Sequence, residues 1–428
     1  MADSVPTPLP NPSPDIRGSA LAPLREPLFR SLWVAAIISY IGTWMQNVGA
    51  GWMMTQLTMS KPEAPLMISL VQAATTLPVF LVILPAGALA DMVDRRRLLL
   101  ITQAWMVVAA TLLGIFTLLG SVTPWTLLVF TFILGLGAVM NDPAWQAITP
   151  EIVCAENHAP AVALNSVGFN VARAIGPALG GLVIAVTSSG VAFLMNAISF
   201  FGVIFILYRW KRLEPDSPRT ERMLESMFAG LRYVRATPLV HCVLIRTGAF
   251  SVAASSLLAL LPLIARNCEL GATGYGLLLG SFGLGALAGA GLLPRLKAFY
   301  SVDRVVAAAI VIFALMTFAA GRAHAFPWLA LILFISGAAW IGILACLNVA
   351  AQTMSPPWMR ARALSMYLLI LQGGMALGSA AWGGLATKYG LATTMLLSSL
   401  ALILGLATVR RYPLSSRELD LAPSVVRD

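Results

Sequence analysis

Long apolar runs separated by short polar breaks fill most of the chain, and within a run no face is reserved for polar residues. A half-buried strand would alternate with a period of two, and a surface helix would keep a polar stripe. A run apolar on every side and about 20 residues long instead matches a helix crossing a bilayer. Reading between charged or Pro/Gly breaks predicts twelve such helices. The first six cover residues 32–57, 66–90, 98–119, 124–145, 159–186 and 191–207. The second six cover 240–264, 275–296, 305–320, 326–350, 363–387 and 391–409. The expected organisation is a Pro-rich disordered tail (1–30), a six-helix bundle (31–208), a polar linker (209–238), a second six-helix bundle (239–409) and a tail (410–428).

Composition narrows the class. Of the 428 residues, 58% are hydrophobic and 11% charged, with a mean hydropathy of +0.83. A soluble domain carries about 25% charged residues, so a soluble enzyme, a disulfide scaffold and a disordered chain are all excluded. The net charge of +10 would suggest nucleic acid in a soluble protein. Its placement points to topology instead. With both termini in the cytoplasm, 22 of the 28 Lys and Arg fall on the cytoplasmic side and four (Lys61, Arg266, Arg322, Lys388) on the other. Such a bias is the signature of an even number of helices with both ends inside. The first 30 residues hold seven prolines and no apolar core, unlike a signal peptide. The four cysteines are scattered, with no metal-ligand spacing, and read as small apolar residues.

The halves repeat one another. Gln146-Ala-Ile-Thr149-Pro150 follows span 4, and Gln352-Thr-Met-Ser355-Pro356 follows span 10, 206 positions later. Each precedes a helix with a glycine pair, Gly180-Gly181 and Gly383-Gly384. The fold class expected is therefore all-α, two six-helix pseudo-repeats framing a central cavity near mid-bilayer. In the linker, Leu224, Phe228 and Leu231 are spaced as one face of an amphipathic helix lying on the membrane surface.

The loop between spans 2 and 3 reads Gly87-Ala-Leu89-Ala90-Asp91-Met92-Val-Asp94-Arg95-Arg96-Arg97. It resembles the G-x-L-A-D-R-x-G-R-R signature of the major facilitator superfamily, with Met92 in place of the usual Arg and Asp94 in place of the usual Gly. There Gly87 is expected to allow close helix contact and Asp91 to cap a helix N-terminus. The arginines are expected to hold carboxylates across a cytoplasmic gate while also anchoring topology. Span 5 holds Gly176-Pro177-Ala-Leu-Gly180-Gly181. It is similar to the fifth-helix signature of the exporter, or antiporter, branches of that superfamily, although Ala163 and Ala172 stand where the full signature has glycine. Pro177 removes a backbone donor, and the glycines admit a close neighbour. Phe29-Arg30-Ser-Leu-Trp33, Ser39-Tyr-Ile-Gly42-Thr-Trp44, Leu77-Pro78 and Asn170-Val-Ala-Arg173 extend the resemblance to one bacterial group of siderophore- and drug-exporting carriers.

That resemblance implies an inner-membrane, secondary-active exporter of small, drug- or siderophore-like amphipathic molecules, monomeric, embedded in the lipid bilayer and driven by a proton gradient rather than a cofactor. It implies a cavity lined by spans 1, 4, 7 and 10, with Trp44, Gln46, Asn47, Asn141, Phe250, Trp340 and Asn348 as candidates. Arg173 sits at the centre of span 5, where an arginine costs at least about 2.5–3.5 kcal/mol on insertion scales and must face a cavity or a partner. Arg246 is expected to snorkel to the interface. Acids within spans are scarce. Asp142, which either caps helix 4 before Pro143 or carries the proton, is the candidate coupling site, with Asp91 and Glu151 as alternatives. His158, His241 and His324 are isolated, so no catalytic pair or metal site is expected, and no phosphate-binding P-loop occurs. A lipid or lysophospholipid flippase, or a non-transporting sensor, remains the alternative on the same scaffold.

Overall fold

In lipid every backbone N–H and C=O must be satisfied within the protein, which leaves the helix as the natural form for these runs. The computed structural model describes residues 20–210, 238–356, 359–412 and 414. Twelve helices long and apolar enough to cross a membrane are found among them. In the first half these are α1 (Pro27–Leu57), α2 (Ala64–Met92), α3 (Arg95–Leu118), α4 (Pro124–Ile152), α5 (His158–Val186) and α6 (Ser189–Arg209). In the second they are α7 (Pro238–Asn267), α8 (Gly271–Phe299), α9 (Val302–Ala320), α10 (Phe326–Thr353), α11 (Arg360–Tyr389) and α12 (Leu391–Gly405), whose span runs on to Val409 through the short helix Ala407–Arg411. The linker helix expected at 220–238 and most of both tails lie outside the described residues. The tail expected to be disordered over 1–30 is nevertheless ordered at its end: Ala22–Arg25 forms a short 3-10 helix and α1 begins at Pro27, with Phe29 buried.

Most helices outrun their apolar spans by one or two turns, because a polar helix end still satisfies its own backbone once it leaves hydrocarbon. The largest difference is α4. Pro143 and Pro150 both lie inside it, so Asp142 does not terminate the helix and the Gln146–Pro150 segment is helical. Pro78 and Pro85 are likewise contained in α2, and Pro177 in α5. Prolines are tolerated within bundled membrane helices because neighbours re-satisfy the freed groups. Tight turns close the connections; Gly390, at φ +79°, takes the left-handed conformation that links α11 to α12.

Alternation of direction puts the α2–α3, α4–α5, α8–α9 and α10–α11 connections at one end, called here the basic end, and the other connections at the far end. Within the halves, α1 packs on α5 and α6, α3 on α4 and α6, α7 on α11 and α12, and α8 on α10. Between the halves, α2 packs on α11 and α5 on α8. The two junctions are counterparts when the halves are exchanged, as a duplicated unit requires. The closest named approaches lie from the far end to about mid-helix. A Cβ at Gly383 would strike Ser69 and Leu66, and one at Gly373 would strike Phe80. On the other junction Gly181 meets Ala272 and Thr273, Gly276 meets Pro177, and Gly283 meets the Arg173 carbonyl. Small residues at each crossing let backbones approach, the usual route to helix association where water does not drive it.

At the basic end each half ties its last helix down with charge. In the first half, Arg96 Nε and Nη2 donate to the carbonyls of Leu207 and Tyr208 at the end of α6, at 2.7 and 2.8 Å. In the second, Asp303 of α9 accepts from the Leu414 N–H just beyond α12, at 3.0 Å, and pairs with Arg246 of α7. Arg246 is therefore not a snorkelling residue. Its side chain is 2% exposed, and Asp303 and the Tyr412 carbonyl hold it inside the bundle. Removing one member of a buried pair strands the other charge, at a cost of about 3–5 kcal/mol. Asp303→Asn is accordingly expected to lower the thermal unfolding midpoint of the purified protein by several degrees; an unchanged midpoint would show that the pair is already solvated.

Candidate functional site

A cavity of about 350 Å³ lies between the halves, with walls from α1, α2, α5, α7, α8, α10 and α11. Its volume falls in the range that holds small organic ligands. Five aromatic rings face it, those of Trp44, Phe169, Tyr275, Phe282 and Trp340. Trp44 leans on Phe169 with centroids 6.5 Å apart, and Phe282 meets Trp340 edge-on at 6.0 Å. Polar groups come from Asn47, Gln72, Thr75, Thr76 and Gln372. Arg173 supplies the single charge among the described lining residues. Its Nη2 is buried and has no hydrogen-bond partner.

The sequence candidates divide. Trp44, Asn47 and Trp340 line this cavity, as do Arg173 and Pro177 of the fifth-helix motif. Gln46 points the other way from Asn47 and accepts from Asn196 of α6 inside the first bundle. Phe250 packs against Phe313 and Trp340 behind the cavity wall. Asn348 accepts from Gln352 one turn along its own helix, at 2.6 Å. Asn141 accepts from Thr102 and Gln103 of α3, at 3.2 and 3.1 Å. All four lie outside the cavity, for one reason: adjacent positions on a helix point about 100° apart, and membership of a helix does not fix which face is turned inward. Sequence reasoning missed three of the five rings, Phe169 of α5 and Tyr275 and Phe282 of α8, and the polar lining groups of α2 and α11. Gln72 and Gln372 are the only amide side chains in those two helices, a signal that was available.

The fifth-helix motif serves two neighbours. Gly176 and Gly180, four apart and so on one face, press against α1: added Cβ atoms would lie 2.6 Å from Trp44 Cβ and 2.7 Å from Met45 Cα. Pro177 and Gly181, on the adjoining face, meet α8 across the junction between the halves. The gate motif is differently engaged from expectation. Asp94 caps α3, accepting from the Arg97 N–H at 2.7 Å. Arg95 bonds Glu151 Oε1 at 2.7 Å and the Ala147 carbonyl at 3.1 Å, both on α4. Arg97 is exposed, and a Cβ at Gly87 would meet nothing within 4 Å. The arginine contacts found here thus join helices of the first half, rather than bridging the halves, because the two halves make their close approaches toward the other end. The Asp91 side chain lies outside the described residues.

Asp142 lines a second, smaller pocket of about 150 Å³ inside the first bundle, together with Tyr40, Thr43, Gln103, Asn141 and Trp145. It has no ion-pair partner among the described residues. Phe169 borders both pockets. Its ring meets Tyr40 edge-on at 5.4 Å on the Asp142 side and Trp44 on the other.

The profile of the transmembrane secretion effector family matches residues 18–426. The chain belongs to this family. Its architecture is that of the major facilitator superfamily, and its relatives and fold are those of transporters rather than enzymes. Among curated relatives of this chain are the enterobactin exporters EntS of Shigella boydii serotype 18 and Escherichia coli O81. Each is 26% identical over 416 residues, covering 90% of this chain and 94% of the relative. Among solved structures, a bacterial homologue of the human lysosomal transporter Spinster, in an inward-facing and occupied conformation, superposes with a TM-score of 0.72 at 14% identity, over 91% of this chain and 97% of that one. The nucleoside transporter NupG superposes with a TM-score of 0.67 at 13% identity, over 90% of this chain and 99% of that one. At these identities the likeness is one of fold.

Proposed function

We propose that this membrane transporter is a secondary-active exporter of small amphipathic molecules, working in the inner membrane by alternating access and driven by a proton gradient. The observation that carries the reading is the cavity walled by both halves, whose named close approaches cluster toward one end. A site shared by two rigid halves is exposed to each side in turn as they rock. The 22-to-4 bias of Lys and Arg supports a cytoplasmic basic end and cytoplasmic termini. On that orientation the far end is extracytoplasmic, and the state described is inward-facing. The excess positive charge then serves topology, with no role toward nucleic acid. One copy suffices, since a single chain supplies every wall, and no bound cofactor takes part. The EntS relatives favour export over uptake.

Efflux from energised proteoliposomes is the test, across a panel of dyes, antibiotics and siderophores, with and without an imposed proton gradient. Gradient-dependent efflux of at least one class is the expected result. Binding without flux under every gradient would move a sensor ahead, and movement of lipid alone would favour a flippase.

A further inference from the structure

We propose that the central cavity recognises an aromatic anion, with Arg173 as its counter-charge and the surrounding rings as the bed for its flat apolar body. The inference rests on the transporter reading of this cavity and narrows the class of molecule it admits.

Three buried or half-buried arginines show what an arginine does in this fold. Arg96 spends its donors on the carbonyls that end α6. Arg95 pairs with Glu151, and Arg246 with Asp303. Arg173 does none of these; Arg266 likewise leaves a buried Nη1 unpaired, but it stands at the far end of α7 and does not line the cavity, whereas Arg173 does. No hydrogen bond or ion pair engages its guanidinium among the described residues, its Nη2 is buried, and it borders the cavity. The guanidinium is held without a partner where burying a charge is costly. A planar guanidinium presents paired donors that match the two oxygens of a carboxylate or similar oxyanion.

The rest of the lining agrees with that sign. No Asp or Glu is among the described lining residues, so a cation would find no counter-charge and would meet Arg173 itself. Trp44 and Phe169 stand on the same half as Arg173, whereas Tyr275, Phe282 and Trp340 come from the other. A molecule anchored by its charge to α5 would therefore lay its ring against the second half. Arg173 is also at the junction itself, its carbonyl facing Gly283 of α8. Rocking the halves would alter the fit around such a molecule, giving it a different affinity in each state, which is what a ligand needs in order to bias a conformational equilibrium.

The probes are 7-methoxycoumarin-3-carboxylate and its neutral carboxamide, equal in size and ring system. Binding to the full-length protein in lipid nanodiscs is read by energy transfer from tryptophan, without any gradient. The carboxylate is expected to bind at least tenfold more tightly than the amide, a difference of about 1.4 kcal/mol. Arg173→Gln should remove that preference by weakening carboxylate binding to the level of the amide, without lowering the unfolding midpoint, and Arg173→Lys should keep part of it. Equal affinities in the wild type, a preference that survives Arg173→Gln, or no carboxylate binding at millimolar concentration would each overturn the proposal. Flux measured separately distinguishes the two readings. Arg173-dependent binding without flux removes export and leaves the anion site; flux indifferent to charge does the reverse.

Discussion

Gly276→Leu is expected to stop transport while leaving the twelve-helix protein folded and in the membrane. Gly276 lies on α8 where it crosses α5. A Cβ there would strike the Pro177 carbonyl and come within 3.0 Å of Gly181 Cα. These are backbone atoms, so no rotamer change can relieve the clash, and only separation of α5 from α8 makes room. The strain falls on the state in which the far ends are together, because that is the state in which these atoms touch. Overpacking of this kind costs about 1–3 kcal/mol. Since 1.4 kcal/mol is a factor of ten in an equilibrium, the closed far end becomes roughly 5- to 150-fold less populated. A carrier held away from one of its two states cannot complete a cycle. Flux in proteoliposomes should fall by at least an order of magnitude. Thr273, whose hydroxyl reaches the Gly181 carbonyl at 3.5 Å, offers the second readout. A cysteine at that position should be slow toward an impermeant maleimide in the parent protein and fast in the Gly276→Leu variant. Normal flux together with a protected Thr273→Cys would show that the α5–α8 crossing does not move. Gly176→Leu makes the useful contrast. Its obstruction is Trp44 and the Ile41 carbonyl, on α1 of the same half, so it should reduce folding yield rather than trap a state.

The contrast between those two glycines also shows what was legible in the sequence and what was not. Apolar run length alone gives the twelve spans, because a bilayer of fixed thickness imposes one length on every crossing. The displaced Gln-x-x-Thr/Ser-Pro repeat gives the two halves. Run length is silent about rotation. A helix apolar all round carries little amphipathic signal, so Gln46 and Asn47 are equivalent in the sequence and opposite in the structure. Gly176, Pro177, Gly180 and Gly181 read as one packing motif, yet they split between a permanent contact with α1 and a junction with α8. Arg246 and Arg173 look alike as lone charges in apolar spans. Asp303 separates them: it stands 57 residues from Arg246 in the chain, beside it in the fold. Polar partners distant in sequence decide which buried charge is structural, and only the fold brings them together.

Asp142→Asn is expected to uncouple transport from the proton gradient. A group that carries a proton through such a cycle has to alternate between charged and neutral forms as its access to water switches. Asp142 meets the structural conditions: it lines a pocket within the membrane-spanning bundle, and no Lys or Arg lines that pocket among the described residues to fix its charge. The competing acid in the described structure is less suited. Glu151 is already engaged, in a salt bridge with Arg95 at the end of α4. Communication with the substrate cavity has a short route, since Phe169 is a wall of both pockets and touches Tyr40 on one side and Trp44 on the other. Asparagine keeps the shape and hydrogen-bonding capacity of a protonated aspartate and cannot ionise. The variant should therefore still exchange substrate down its own gradient while losing accumulation against it, with the transmembrane substrate ratio falling to about one when a proton gradient is imposed. Its exchange rate should also lose the pH dependence of the parent. If Asp142→Asn pumps uphill as well as the parent does, the proton travels elsewhere, and Asp91 becomes the next residue to change. Loss of downhill exchange as well would make Asp142 part of the moving structure rather than the coupling group.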